Sequence, residues 1–163
     1  TAQGRYDRFL GKRKFGFALA ALERSDRQRL NLRSRAGGGF GYKLKDNPNT
    51  ELSFLGGLVF INEQFQDDPA RPPPEHTNSA EILAGFDLRT TVSGGVQITT
   101  KMAVLPNLTQ SGRYRVEFDS TARIPLLKRL TWSLTLFERF DSAPPLAVRR
   151  NDYGAVSALG YAF

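Results

Sequence analysis

Segment after segment of this chain alternates polar and apolar residues one by one, and that period of two constrains the fold more than any other feature. Successive side chains of a strand point to opposite faces, whereas a helix repeats about every 3.6 residues. Residues 113 to 124 are the cleanest case. Tyr114, Val116, Phe118, Ala122 and Ile124 share one face; Arg113, Arg115, Glu117, Asp119, Thr121 and Arg123 share the other. Leu30, Leu32 and Ala36 likewise oppose Arg29, Asn31, Arg33 and Arg35, and Ile82, Ala84, Phe86 and Leu88 oppose Glu81, Asp87 and Arg89, with Leu83 as the exception. Val96, Ile98 and Met102 face away from Gln97, Thr99 and Lys101. Further apolar faces come from Phe15, Phe17, Leu19 and Ala21, from Leu52, Phe54, Leu58 and Phe60, and from Leu130, Trp132, Leu134 and Leu136.

Turn residues separate these segments: Asp46-Asn47-Pro48-Asn49, Ser93-Gly94-Gly95, Pro106-Asn107 and Ile124-Pro125. The pattern predicts strands near 14–24, 28–43, 51–64, 79–91, 94–104, 113–123, 130–141 and 153–163, about eight in all, with a weaker stretch at 3–10. No helix is needed. Strands of this length exceed the usual 5 to 6 residues of a globular sheet and suit a tilted bilayer crossing, which takes about 9 to 11. The connections also alternate: 44–50, 91–94 and 124–129 are short, while 65–78, 105–112 and 142–152 are long. The break near Arg24 to Arg27 is short on the long side.

The expected fold is therefore all-β, a single domain over 1–163 forming an antiparallel up-and-down transmembrane β-barrel, with ten to twelve strands if upstream sequence is missing. Aromatics at strand ends fit interfacial girdles: Tyr42, Trp132, Tyr161 and Phe163 toward the short turns, Tyr114, Phe140 and Tyr153 toward the long loops. The alternative fold with the same alternation is a soluble, lipocalin-like barrel that turns its apolar face inward around a small apolar ligand.

Composition removes most chemistry. The chain has no cysteine and one histidine, His76, in a Pro-rich loop beside Glu75, so thiolate sites and histidine metal clusters are excluded. No metal, cofactor or catalysis is expected: pairs such as Glu117 and Asp119 on a barrel wall read as salt-bridge partners, and Asp67 and Asp68 as a solvated loop pair. The net charge of +7 comes from 23 Lys plus Arg against 16 Asp plus Glu, and 17 of the 23 are Arg. These Arg residues alternate with Leu on strands instead of clustering with exposed aromatics, so nucleic acid is not an expected partner.

Inside a barrel such charges must pair across strands. The expected lumen network is Arg29, Arg33, Arg35, Glu51, Glu81, Asp87, Arg89, Lys101, Arg113, Arg115, Glu117, Asp119 and Arg123. It reads as a plugged, structural interior, with a narrow anion-preferring path as the functional variant. Arg149 and Arg150 are candidates for lipid phosphates, by forked hydrogen bonds.

Phe140-Asp141-Ser142-x-Pro144-Pro145, Arg149-Arg150-Asn151-Asp152 and the closing Tyr161-Ala162-Phe163 resemble the C-terminal signature of the salt-induced outer-membrane protein family, a bacterial family of unknown function. Gly39-x-Gly41-Tyr42 and Gly56 through Glu63 resemble its middle. The resemblance implies a β-barrel in the outer membrane of a Gram-negative-type bacterium and supplies no reaction or ligand. Implied partners are outer-membrane lipid, lipopolysaccharide and the barrel-assembly machinery, which would read the terminal Leu159, Tyr161 and Phe163. A homo-oligomer or a larger envelope complex stays open.

Overall fold

A computed structural model describes residues 2–25, 30–65, 76–144 and 150–162. Nine strands follow one another as β1 (Ala2–Phe9), β2 (Lys14–Ser25), β3 (Leu30–Asn47), β4 (Thr50–Phe65), β5 (His76–Thr91), β6 (Gln97–Pro106), β7 (Tyr114–Leu127), β8 (Leu130–Asp141) and β9 (Asn151–Tyr161). They form one sheet in sequence order, every neighbouring pair antiparallel. The weak stretch at the start is a strand, β1, which is why the sheet has nine. Among the described residues no ladder joins β1 to β9.

Boundaries follow local chemistry. Gly94 and Gly95, at φ 79° and 76°, take the left-handed backbone that closes the β5–β6 turn. Asn47 Oδ1 accepts from the Thr50 amide at 2.8 Å and locks the β3–β4 turn. Several expected boundaries move: β3 runs on to Asn47 instead of ending near 43, and β6 starts at Gln97 instead of 94. Pro125 does not stop β7; it pairs with Thr131 at a register shift two residues before the strand ends, where a missing ladder donor is tolerated. His76 is not in a loop but is the first residue of β5, opposite Gln64.

The sheet curls strongly. Arg35 on β3 reaches Glu117 on β7 at 2.7 Å, and Arg5 on β1 reaches Asp87 on β5 at 2.7 Å, each pair four strands apart in sheet order. A row of outward residues, Tyr42, Phe54, Phe86, Met102 and Phe118, runs through the register to Glu138 and Tyr153. It starts near the short-turn end of β3 and finishes near the long-loop end of β9, as strands tilted to a barrel axis require.

Glycine permits the curl. A Cβ on Gly39 would lie well inside contact distance of the Gly56 carbonyl oxygen, and one on Gly57 would meet the Gly38 carbonyl. Backbone, not a flexible side chain, blocks both. Gly39→Ala should therefore cost about 1 to 3 kcal/mol and lower the yield of folded protein in refolding followed by circular dichroism. Gly4→Ala, with nothing within 4 Å of its Cβ, should leave that yield unchanged.

Candidate functional site: the charged lumen

The inward face of the curled sheet is built from odd-numbered residues of β1 to β8, because the register keeps parity from strand to strand. Charged residues lie toward both ends of the face. Near the long loops lies a dense ion-pair network. Arg33 donates to Glu63 at 2.7 Å and to Glu23 at 3.2 Å, and Arg35 donates to Glu117 at 2.7 Å. Arg115 donates to Glu81 at 2.6 Å, and Asn107 Nδ2 reaches the other oxygen of the same carboxylate at 3.5 Å. Glu81 is only 1% exposed and Arg115 6%, so neither has water to fall back on. Arg113, in the loop before β7, forks onto Asp141 at 3.1 and 2.6 Å. Those hydrogen bonds raise the Arg113 pKa above its ordinary value despite burial.

An apolar cluster is packed among these pairs, Val59 opposite Glu81, Ile61 opposite Arg35 and Leu105 opposite Arg115 in the register. Val59, Ile61 and Leu105 are buried there, with Leu19, Leu83 and Ala103 packed against them. Leu83, the exception to alternation, thus has its place inside. Phe15 and Phe17, 3% and 6% exposed, also turn inward, so the apolar face expected on β2 lines the lumen instead of pointing outward with the others. The Phe15 ring fills the space a side chain on Gly41 would need, and Phe137 does the same at Gly154.

Toward the short turns the lumen opens into a cavity of about 270 Å³. Arg5 binds Asp7 at 2.8 and 3.0 Å besides Asp87. Lys43 meets Glu51 at 2.9 Å and Asp46 at 3.5 Å. The contact to Asp46 depends on a register shift between Lys43 and Lys45 that returns Asp46 to the inner face opposite Glu51. On the β7–β8 wall Arg139 Nη2 donates to both oxygens of Asp119, at 2.8 and 2.7 Å.

The expected lumen set is placed as follows. Arg33, Arg35, Glu51, Glu81, Asp87, Arg113, Arg115, Glu117 and Asp119 are all in ion pairs. Arg89, Lys101 and Arg123 have the same inward parity but no carboxylate partner among the described residues. Arg29 lies outside the described residues, as do Asp67, Asp68, Glu75, Arg149 and Phe163. Arg150 is exposed beside β9, where its carbonyl accepts from the Asp141 amide at 2.8 Å. Leu159 and Tyr161 stand exposed on the last strand.

Sequence reasoning missed Arg5, Asp7, Glu23, Lys43, Glu63, Arg139 and Asp141. Parity alone would have found Glu63, Arg139 and Asp141, which alternate with Asn62, Glu138 and Phe140. The turn account of Asp141 holds in part: its Oδ1 accepts from the Ala143 amide at 3.0 Å, and the Ser142 hydroxyl accepts from the Tyr114 amide at 2.9 Å. Its pairing with Arg113 could not be read from the turn.

The outward face is apolar. Phe40 is 71% exposed and Phe60 62%, and Leu58 and Leu136 are also exposed. Aromatic side chains stand near both ends: Trp132 donates to Ser157 Oγ at 2.9 Å near the short turns, and Tyr114 packs on Phe140 with ring centroids 5.7 Å apart near the long loops. No described helix is long and apolar enough to cross a membrane, which says nothing of crossing by strands.

No curated protein and no solved structure matches the chain. The model of one family, described as protein of unknown function DUF481, matches residues 1–163. A curled, all-antiparallel sheet with ion pairs inside and aromatics outside is thus the architecture of a chain that belongs to the DUF481 family of proteins of unknown function.

Proposed function

We propose that this protein is an outer-membrane β-barrel with a structural, envelope-integrity or narrow-channel role and no catalysis. One observation carries the reading: large apolar side chains cover the outside of a sheet whose inside is filled by paired charges. In water that arrangement leaves the apolar area unburied, and in lipid it is the stable one. A soluble barrel around an apolar ligand would need the opposite facing.

The two edges add to it. β1 and β9 run in the same direction because their numbers are both odd, so direct closure would make a parallel pair. Bare strand edges are not tolerated in lipid, and one further antiparallel strand between them would give an even ten. Lipid and lipopolysaccharide would then surround the barrel, with Arg149 and Arg150 in the long β8–β9 connection available to lipid phosphates. The outward Leu159 and Tyr161, with Phe163, would serve barrel assembly, as the salt-induced outer-membrane resemblance implies.

Lipid dependence tests the reading. The chain should fold only with detergent or bilayers and should co-float with liposomes; a monomer that stays folded in plain buffer would overturn it. The buried apolar cluster and the ion pairs packed with it further predict little or no steady conductance in planar bilayers. A large, stable ohmic pore would refute the plugged lumen.

A further inference from the structure

The short-turn cavity has a charge arrangement that its own ion pairs do not consume. Twelve residues line it, among them the cations Arg5, Lys43, Arg89 and Lys101 and the carboxylates Asp7, Glu51 and Asp87. All three carboxylates are already held. Arg5 takes Asp7 and Asp87, and Lys43 takes Glu51. Register would have suggested other partners. Lys101 lies opposite both Asp87 and Asp119, and Arg89 opposite Glu51. The curl hands Asp87 to Arg5 from across the lumen, while Arg139 takes Asp119 and Lys43 takes Glu51. Arg89 and Lys101 are left on adjacent strands, exposed to the cavity, with no acid of their own among the described residues.

Thr99 sits between them. It pairs with Arg89 on one side and Thr121 on the other, and it lines the same cavity. Arg123, one inward position further along β7, adds a third cation near the mouth. A guanidinium fork, a mobile ammonium and a hydroxyl donor together match a small tetrahedral oxyanion, the fork giving paired hydrogen bonds and the ammonium a point charge. A cavity walled by protein also concentrates the field of such cations beyond what an open surface would give. About 270 Å³ suits an ion of that size, not a large organic ligand.

We infer that this cavity binds a small solute oxyanion of the phosphate class on Arg89, Lys101 and Thr99, entering from the short-turn end. The inference rests on the barrel reading only for its setting in a lumen. It makes the anion-preferring variant of that reading a binding site, not a path.

The test is calorimetric titration of inorganic phosphate, at low chloride, into the folded full chain in neutral detergent micelles. The expected result is saturable one-to-one binding, weakened about tenfold or more by the double variant Arg89→Gln/Lys101→Gln, each lost charge-assisted bond being strong enough for that. Arg8→Gln, which removes an exposed cation from the outer face of β1, should leave affinity unchanged. Equal binding by the double variant, equal weakening by Arg8→Gln, or no saturable binding by a chain whose circular dichroism shows it folded would each overturn the proposal. Phosphatidylglycerol added to the micelles should not compete; competition would mean a lipid headgroup occupies the site and would overturn the solute assignment. If the chain instead stays folded and monomeric in plain buffer, the membrane reading fails, and the same titration, run there, still decides the oxyanion site.

Discussion

Phe118→Arg should abolish efficient insertion into bilayers, at a cost of about 2 to 4 kcal/mol for a cation near mid-membrane on the lipid face. Phe118 stands in the outward row between Met102 and Glu138, with Phe86 two strands away. Thr135→Arg makes the comparison. Thr135 faces inward on β8, bonded to Thr121 at 2.9 Å, and an Arg there enters a lumen already lined with charge. Refolding yield into lipid vesicles should fall sharply for the first variant and only mildly for the second. Facing can be checked apart from stability, since single cysteines placed at Phe118 and Arg115 should differ toward a lipid-borne fluorescence quencher: position 118 quenched, position 115 spared. Equal quenching would reverse the faces and with them the membrane reading.

Glu81→Leu should be the most damaging substitution in the lumen. Glu81 is the anchor of Arg115, which is itself buried against Arg35 and Glu117 and has no alternative carboxylate as close. Removing the acid strands a guanidinium away from water, a loss of about 3 to 5 kcal/mol for a buried pair broken on one side. Urea unfolding in micelles or vesicles, followed by tryptophan fluorescence from Trp132, measures it. The double variant Glu81→Leu/Arg115→Met should recover most of the loss, because two apolar groups of similar volume leave no orphaned charge. A double variant as unstable as the single one would show that the cost lies in packing rather than in the unpaired ion.

Both expectations depend on facing, and facing is largely legible in the sequence alone. Period two assigns Phe54, Leu58, Phe86, Val116, Phe118, Leu134 and Leu136 to one side and Arg33, Arg35, Glu81, Arg115 and Glu117 to the other, because adjacent residues of a strand cannot share a face. β2 shows where this runs out. Phe15, Phe17 and Leu19 alternate with Gly16, Ala18 and Ala20, all apolar or small, so polarity could not say which set lines the lumen. The Gly37 to Gly41 run was likewise legible as strand but not as the bend where neighbouring backbones close up.

By itself the sequence determined an all-antiparallel, helix-free sheet of long strands, its turns, and a charged face opposite an apolar one. These are consequences of backbone geometry acting on nearest neighbours along the chain. Only the tertiary structure decided which charges meet. Arg5 finds Asp87 and Arg35 finds Glu117 across the lumen, from strands four apart, and Val59, Ile61 and Leu105 gather into one apolar cluster with Leu83. Those contacts follow from the direction and tightness of the curl, a property of the whole sheet. The same curl leaves Arg89 and Lys101 without an acid among the described residues, because the carboxylates beside them in the ladders are claimed by other cations, Asp87 by Arg5 from the far side of the lumen.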